Sequence, residues 1–189
     1  MTQFYVAELH NGLFQNPQVL LPTSTSGWRL FARCREDDVL SCEIFHDLAT
    51  FSSRHQRTFL QFLEYLFEAG KAGKPWKEIF QDGNLFHPVH DVEIERIDPK
   101  TGKRFKRKYE IHQFKKKRTG IRILFVYTDE RLIAFITHAF EKDDAKTPNA
   151  EKSRAEQEVI DFFAAVDKKE VQLITDQGGK NATQGIFGN

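Results

Sequence analysis

Apolar positions along this chain recur at two different periods, and each change of period marks an element. Trp28–Cys34 and Val39–Phe45 alternate apolar with polar residues around an acidic turn, Glu36-Asp37-Asp38, which predicts two strands in a hairpin. Phe59, Phe62, Leu63, Leu66 and Phe67 then repeat at helical spacing. The spacing predicts a helix that begins near Phe51-Ser52-Ser53, where a serine can cap it, and stops at Gly70. Gly70 to Pro75 breaks the chain, and Trp76–Phe80 fits one short helical turn.

From Val89 the period returns to two. Val92, Ile94 and Ile97 lead into Asp98-Pro-Lys-Thr-Gly102, a turn sequence, and Arg104–Phe114 runs back as the second arm of a long hairpin. Residues 115–120 form a lysine-rich turn, Ile121–Thr128 a strand, Asp129-Glu130 a turn, and Leu132–Phe140 another strand. Together these predict an antiparallel meander of about four strands. A final helix carries Ala155, Val159, Phe162, Phe163 and Val166 on one face. Thr147 is its expected N-cap, Pro148 its first residue and Glu151 a first-turn acid, and Val171–Ile174 is expected to extend it. Residues 1–27 read as an N-terminal extension, 28–175 as one domain and 176–189 as a flexible tail.

The 189 residues suffice for one domain with a real core, and 40% hydrophobic with 29% charged residues is an ordinary soluble composition. The start, MTQFYVAELHNGLF, lacks the basic and apolar regions of a secretory signal, and no window approaches a membrane span, so the cytoplasm is the expected location. Net charge changes the picture. The whole chain is +1, yet residues 100–122 hold 11 Lys/Arg against the single acid Glu110. Charge segregated in this way speaks to an anionic partner rather than to the fold.

Cys34 and Cys42 are the two cysteines. In the predicted hairpin Cys34 lies opposite Leu40, so both are read as buried thiols, not a disulfide. His87-Pro-Val-His90 lacks a third clear ligand, so no metal and no cofactor is expected. Asn181-Ala182-Thr183 matches a glycosylation acceptor by chance.

The layout resembles the RelE/HigB superfamily of bacterial toxins, in particular its phage-derived HigB-like branch, over about 45–167. Lys-Tyr-Glu-Ile-His (108–112), Ile121-Arg-Ile-Leu-Phe-Val-Tyr127, and His138-Ala-Phe-Glu-Lys142 followed by Lys146-Thr-Pro148 and Glu151 carry the resemblance. Asp143 stands where the family usually has a second lysine, and His112 where arginine often ends the strand. The resemblance implies an α+β fold, an antiparallel sheet with helices on one face. It implies an endoribonuclease that cuts mRNA, commonly on the ribosome, and a cognate antitoxin of helix-turn-helix type that masks it. No membrane partner is implied.

Attack of a 2′-hydroxyl on its phosphodiester needs a base, charge stabilisation and an acid. Arg122 breaks an apolar strand and is the first choice for the phosphate; the alternative is a rim arginine snorkelling past the core. Lys115, Lys117 and Arg118 join it as catalytic candidates, because packed lysines depress one another's pKa. Lys142 and His138 follow from the signature, though a lone sheet histidine is often structural. Lys103, Arg104, Lys106, Arg107, Lys108, Lys116 and Lys146 are RNA-binding candidates, as is Tyr127, which can instead pack in the core. A two-residue loop at Asp129-Glu130 pairs Ile121 with His138 and Arg122 with Thr137. Arg122 and His138 then face opposite sides of the sheet unless a bulge shifts the register. Two other readings compete with the ribonuclease: a non-catalytic RNA- or ribosome-binding module, and a basic patch that docks an acidic protein.

Overall fold

The structure is a computed structural model, and it describes residues 3–9, 29–71, 86–98, 100–115, 120–128, 133–142, 146–174 and 181–182. Lys116, Lys117, Arg118, the 129–132 loop and Trp76–Phe80 lie outside those residues. Strands β1 (Phe4–Leu9) and β2 (Arg29–Cys34) come first, then helices α1 (Glu43–Thr50) and α2 (Ser53–Lys71). Strands β3 (Phe86–Ile97), β4 (Arg104–Lys115), β5 (Ile121–Thr128) and β6 (Ile133–Glu141) follow, then α3 (Asn149–Lys168), β7 (Val171–Leu173) and the two-residue β8 (Asn181–Ala182).

Among the described residues the strands make one mixed sheet in the order β3-β4-β5-β6-β2-β1-β7-β8. The expected meander is its first half, antiparallel throughout. The sheet is wider than expected because β2 joins β6 in parallel, and β1 lies between β2 and β7. Residues 4–9 are therefore a central strand, not an appendage. Phe4, Val6, Ala7 and Leu9 are all buried, and a strand covered on both faces loses the simple alternation that would announce it.

Val39–Phe45 is not a strand. Cys34 and Cys42 form one isolated bridge, so Cys34 faces Cys42 rather than Leu40, and both thiols are free and buried. The Asp38 carboxylate accepts Leu40 N at 3.0 Å and starts a 3-10 turn, Val39–Ser41. After it Ile44 and Leu48, four residues apart, turn α1 toward the core. A window of seven residues carried both periods, and the turn selected the helix. Ser52 Oγ accepts His55 N and caps α2 as expected. Val171–Leu173 pairs with β1 instead of prolonging α3, because the chain leaves the helix through a left-handed Lys169.

Helices cover both faces, not one. On the first face Phe59 and Phe62 of α2 pack with Phe114, Ile123 and Phe125, and the Phe62 and Phe114 rings stack at 3.9 Å. On the second face α3 brings Phe162 onto Phe135 at 4.2 Å and Phe163 onto Tyr109 at 4.1 Å. Burying such rings contributes roughly 2–3 kcal/mol each and ties the meander to its helices. Helix α1 sits past the end of β2, beside β6, where Asp47 accepts Ala139 N at 3.0 Å in place of a neighbouring strand.

Candidate functional site

Two β-bulges build the site. Pairing of β5 with β6 runs from Thr128–Ile133 to Phe125–Ile136 and resumes at Leu124–His138, so Thr137 is the extra residue. Arg122 then pairs with Phe140, not with Thr137, and Ile121 with Glu141. The expected conflict is removed: Arg122 and His138 share the face covered by α3. A second bulge, between Pro88 and His90, brings His87 and His90 to that same face.

The registers set two adjacent rows on this face. One reads His87, Gln113, Leu124, His138 across β3 to β6. The other holds Lys115, Arg122 and Phe140 across β4 to β6. Strands lie about 4.8 Å apart and same-face neighbours about 7 Å along a strand, so these side chains share one small patch. The segment leading into α3 lies over the first row. The Thr147 hydroxyl donates to Gln113 Oε1, and the Gln113 amide nitrogen is 3.3 Å from His87 Nε2. That is why Thr147 does not cap the helix: its hydroxyl is used across the fold, and Pro148 occupies the cap position.

His138 is completely buried. Its Nε2 is 2.9 Å from the Glu151 carboxylate on α3, and its Nδ1 is 3.2 Å from the Thr137 hydroxyl. Burial, helped by the nearby Arg154 charge, pushes its pKa down to about 3; the Glu151 carboxylate favours the charged ring and opposes that drop. A neutral ring with Nε2–H donating to Glu151 satisfies the pair. Arg122 is 4% exposed, and its guanidinium donates to Ile121 O at 2.9 Å. Lys115, directly opposite, is half-buried. Desolvation first, then Lys115 and Arg122, holds His87 below the usual histidine range, so both cations reach it electrostatically.

The other candidates divide. Lys142 follows β6, and its N–H donates to Gly120 O beside the start of β5; Lys146 is exposed just before Thr147. Both flank the patch. Lys103, Arg104, Lys106, Arg107 and Lys108 lie toward the other end of β4, between about 20 and 40 Å from Lys115 along an extended strand. Three of them face acids of β3: Arg104 with Glu95, Lys106 with Glu93 and Lys108 with Asp91. Arg107 lies over the Tyr109 ring. Tyr127 is on the α2 face, 4.9 Å from the His112 ring, and is not brought to Arg122. Sequence reasoning missed Gln113, Thr147 and His87 as members of this cluster. The signal available was a glutamine inside an apolar strand.

Residues 46–159 match the family model of phage-derived protein Gp49-like (DUF891). This chain belongs to that family. The Gp49-like proteins are a RelE/HigB-like toxin-type family of toxin–antitoxin systems, and membership points to an antitoxin partner. No curated relative and no solved structure matches the chain. Among the described residues of this Gp49-like chain no cluster of three or more His, Cys, Asp or Glu could hold a metal, and no helix is long and apolar enough to cross a membrane.

Proposed function

We propose that this Gp49-like protein is a toxin endoribonuclease that cleaves mRNA, acting on the ribosome, and that a cognate antitoxin neutralises it. The observation that carries the reading is the Lys115–Arg122 pair, two cations directly opposite each other on the α3 face. Two like charges in register concentrate positive potential at one point of the sheet, which favours an anionic ligand there. Arg122 supplies a planar donor for a phosphate oxygen, and Lys115 a second charge as the phosphorane develops. Lys116, Lys117 and Arg118 follow Lys115 directly in the sequence and are the candidates for proton transfer: one takes the 2′-hydroxyl proton, the P–O5′ bond breaks to leave a 2′,3′-cyclic phosphate, and the departing 5′-oxygen takes a proton from another lysine of the run. Lys142 and Lys146 extend the cationic rim for the flanking backbone. His138 positions the site rather than exchanging protons: buried and neutral, it joins the Thr137 bulge to Glu151 of α3.

The test is induced expression in bacteria with RNA 5′ ends mapped during the first minutes. Growth arrest with new ends, lost in Arg122→Ala, is expected. Wild type that binds RNA or ribosomes without producing ends would instead identify a non-catalytic binding module, and neither arrest nor ends would sink the toxin.

A further inference from the structure

His87 has no role in the reading above, yet the fold directs it to the same patch. It opens β3, sits in register with Gln113, and remains partly exposed, while Gln113 is completely buried. Both polar atoms of that buried amide are committed. Its oxygen accepts the Thr147 hydroxyl, and its nitrogen points at His87 Nε2 from 3.3 Å. With the amide in this orientation its nitrogen donates, so Nε2 accepts and a neutral ring carries its one proton on Nδ1. A protonated ring would set an N–H against the amide N–H. The bulge after Pro88 keeps the ring on the α3 face, one row from Lys115 and Arg122. Extra positive charge there is disfavoured, whereas a neutral donor is not.

We propose that His87 is a third ligand for the RNA phosphate: a neutral imidazole, held in its Nδ1–H tautomer by the Thr147–Gln113 relay, that donates a hydrogen bond to a phosphate oxygen bound between Lys115 and Arg122. This rests on the ribonuclease reading. The lowered pKa of His87 agrees with it, because the ring stays neutral where a lone histidine would begin to charge. The relay also links substrate to scaffold, since Thr147 lies at the start of α3 and Gln113 at the centre of the meander. The ring binds and does not shuttle protons, so any side chain that offers an N–H donor from that place can replace it.

The experiment adds purified full-length protein to a bacterial translation extract carrying a reporter mRNA and follows the initial appearance of new 5′ ends by primer extension. Wild type is compared with His87→Ala, His87→Gln and Arg122→Ala, each checked for folding by circular dichroism and thermal melting. We expect His87→Ala to lower the initial rate about 10- to 100-fold, the usual worth of one hydrogen bond to a charged group. His87→Gln, which keeps an N–H donor and cannot act as an acid or base near neutrality, is expected to recover to within about threefold of wild type. Folded His87→Ala at the wild-type rate overturns the proposal, and so does folded His87→Gln as slow as His87→Ala, which would mark a proton shuttle. In both cases Arg122→Ala remains impaired and the ribonuclease reading survives. If wild type yields no ends, the reading itself falls and the proposal with it.

Discussion

The two ends of the β3–β4 hairpin carry similar positive charge and use it differently. At the far end Arg104, Lys106 and Lys108 each reach an acid of the neighbouring strand, at 3.1, 2.7 and 2.7 Å. That end is an exposed ladder of alternating sign. At the near end β4 has passed its last acid, Glu110, and Lys115 faces Arg122 across the register with His87 one row away. A cation count along the sequence cannot tell these ends apart. Cross-strand geometry can, because it decides which cations meet an acid of the neighbouring strand and which meet another cation.

The largest expected contrast is catalytic. Arg122→Ala should lower RNA cleavage by about 10²–10³-fold, the usual cost of removing one donor from a developing oxyanion. The double change Lys106→Ala with Lys108→Ala should cost less than about threefold, because exposed paired cations contribute little. Primer extension on a reporter mRNA measures both, and equal losses would erase the distinction.

The second contrast is in rigidity. His138→Ala leaves a void and removes the ring's contacts with Glu151 and Thr137, whose hydroxyl keeps its bond to Leu124 O, so urea unfolding should show a loss of about 2–4 kcal/mol. A loss below about 0.5 kcal/mol would mean that the joint between β6 and α3 is not built on this ring.

A pH titration sharpens the same point. The folded His138 pKa lies near 3 and the unfolded value near 6.5, so the unfolded chain binds the extra proton between them. Stability conferred by the neutral ring is therefore full above about pH 6.5 and drains as pH falls toward 3. The upper limit is roughly 1.4 kcal/mol per pH unit, reduced by the opposing Glu151 carboxylate. His138→Asn should flatten that slope in urea melts taken from pH 7 to pH 4, and an unchanged slope would assign the acid sensitivity to other groups.

The smallest effect tests the ladder directly. Glu93→Gln with Glu95→Gln should expose the far cations and tighten binding of a fluorescent RNA oligonucleotide about two- to fivefold at low salt, with the gain vanishing at high salt. No gain would mean that the far end lies away from the RNA path.

Much of this was legible in the chain. The meander, the Asp98–Gly102 turn, the Ser52 cap, the core-facing Phe59 and Phe62 of α2 and the stripe of α3 follow from local periodicity and turn chemistry. Three things did not. Strand β1 is buried on both faces, and its residues lacked a period to read. Helix α1 shared its seven-residue window with a strand pattern. The bulges at Thr137 and after Pro88 leave no residue signature of their own, yet they decide which side chains meet. Arg122 stood out as a charge inside an apolar strand, and Lys115 as the first member of the lysine run. Gln113, Thr147 and His87 did not, because their association is made by register and not by proximity in sequence.

The Thr137 bulge has a consequence for how this chain can change over generations. Tyr127 and Thr128 still pair ahead of the 129–132 connection, so that connection can gain or lose residues and leave both strands in phase. The strand itself has no such freedom. Deleting one residue near 137 would exchange inside for outside over the last four positions of β6. It would turn His138 away from Glu151 and present Ala139 to α3. Related chains should therefore drift in length at the hairpin tip and hold a constant count from Thr137 to Lys142.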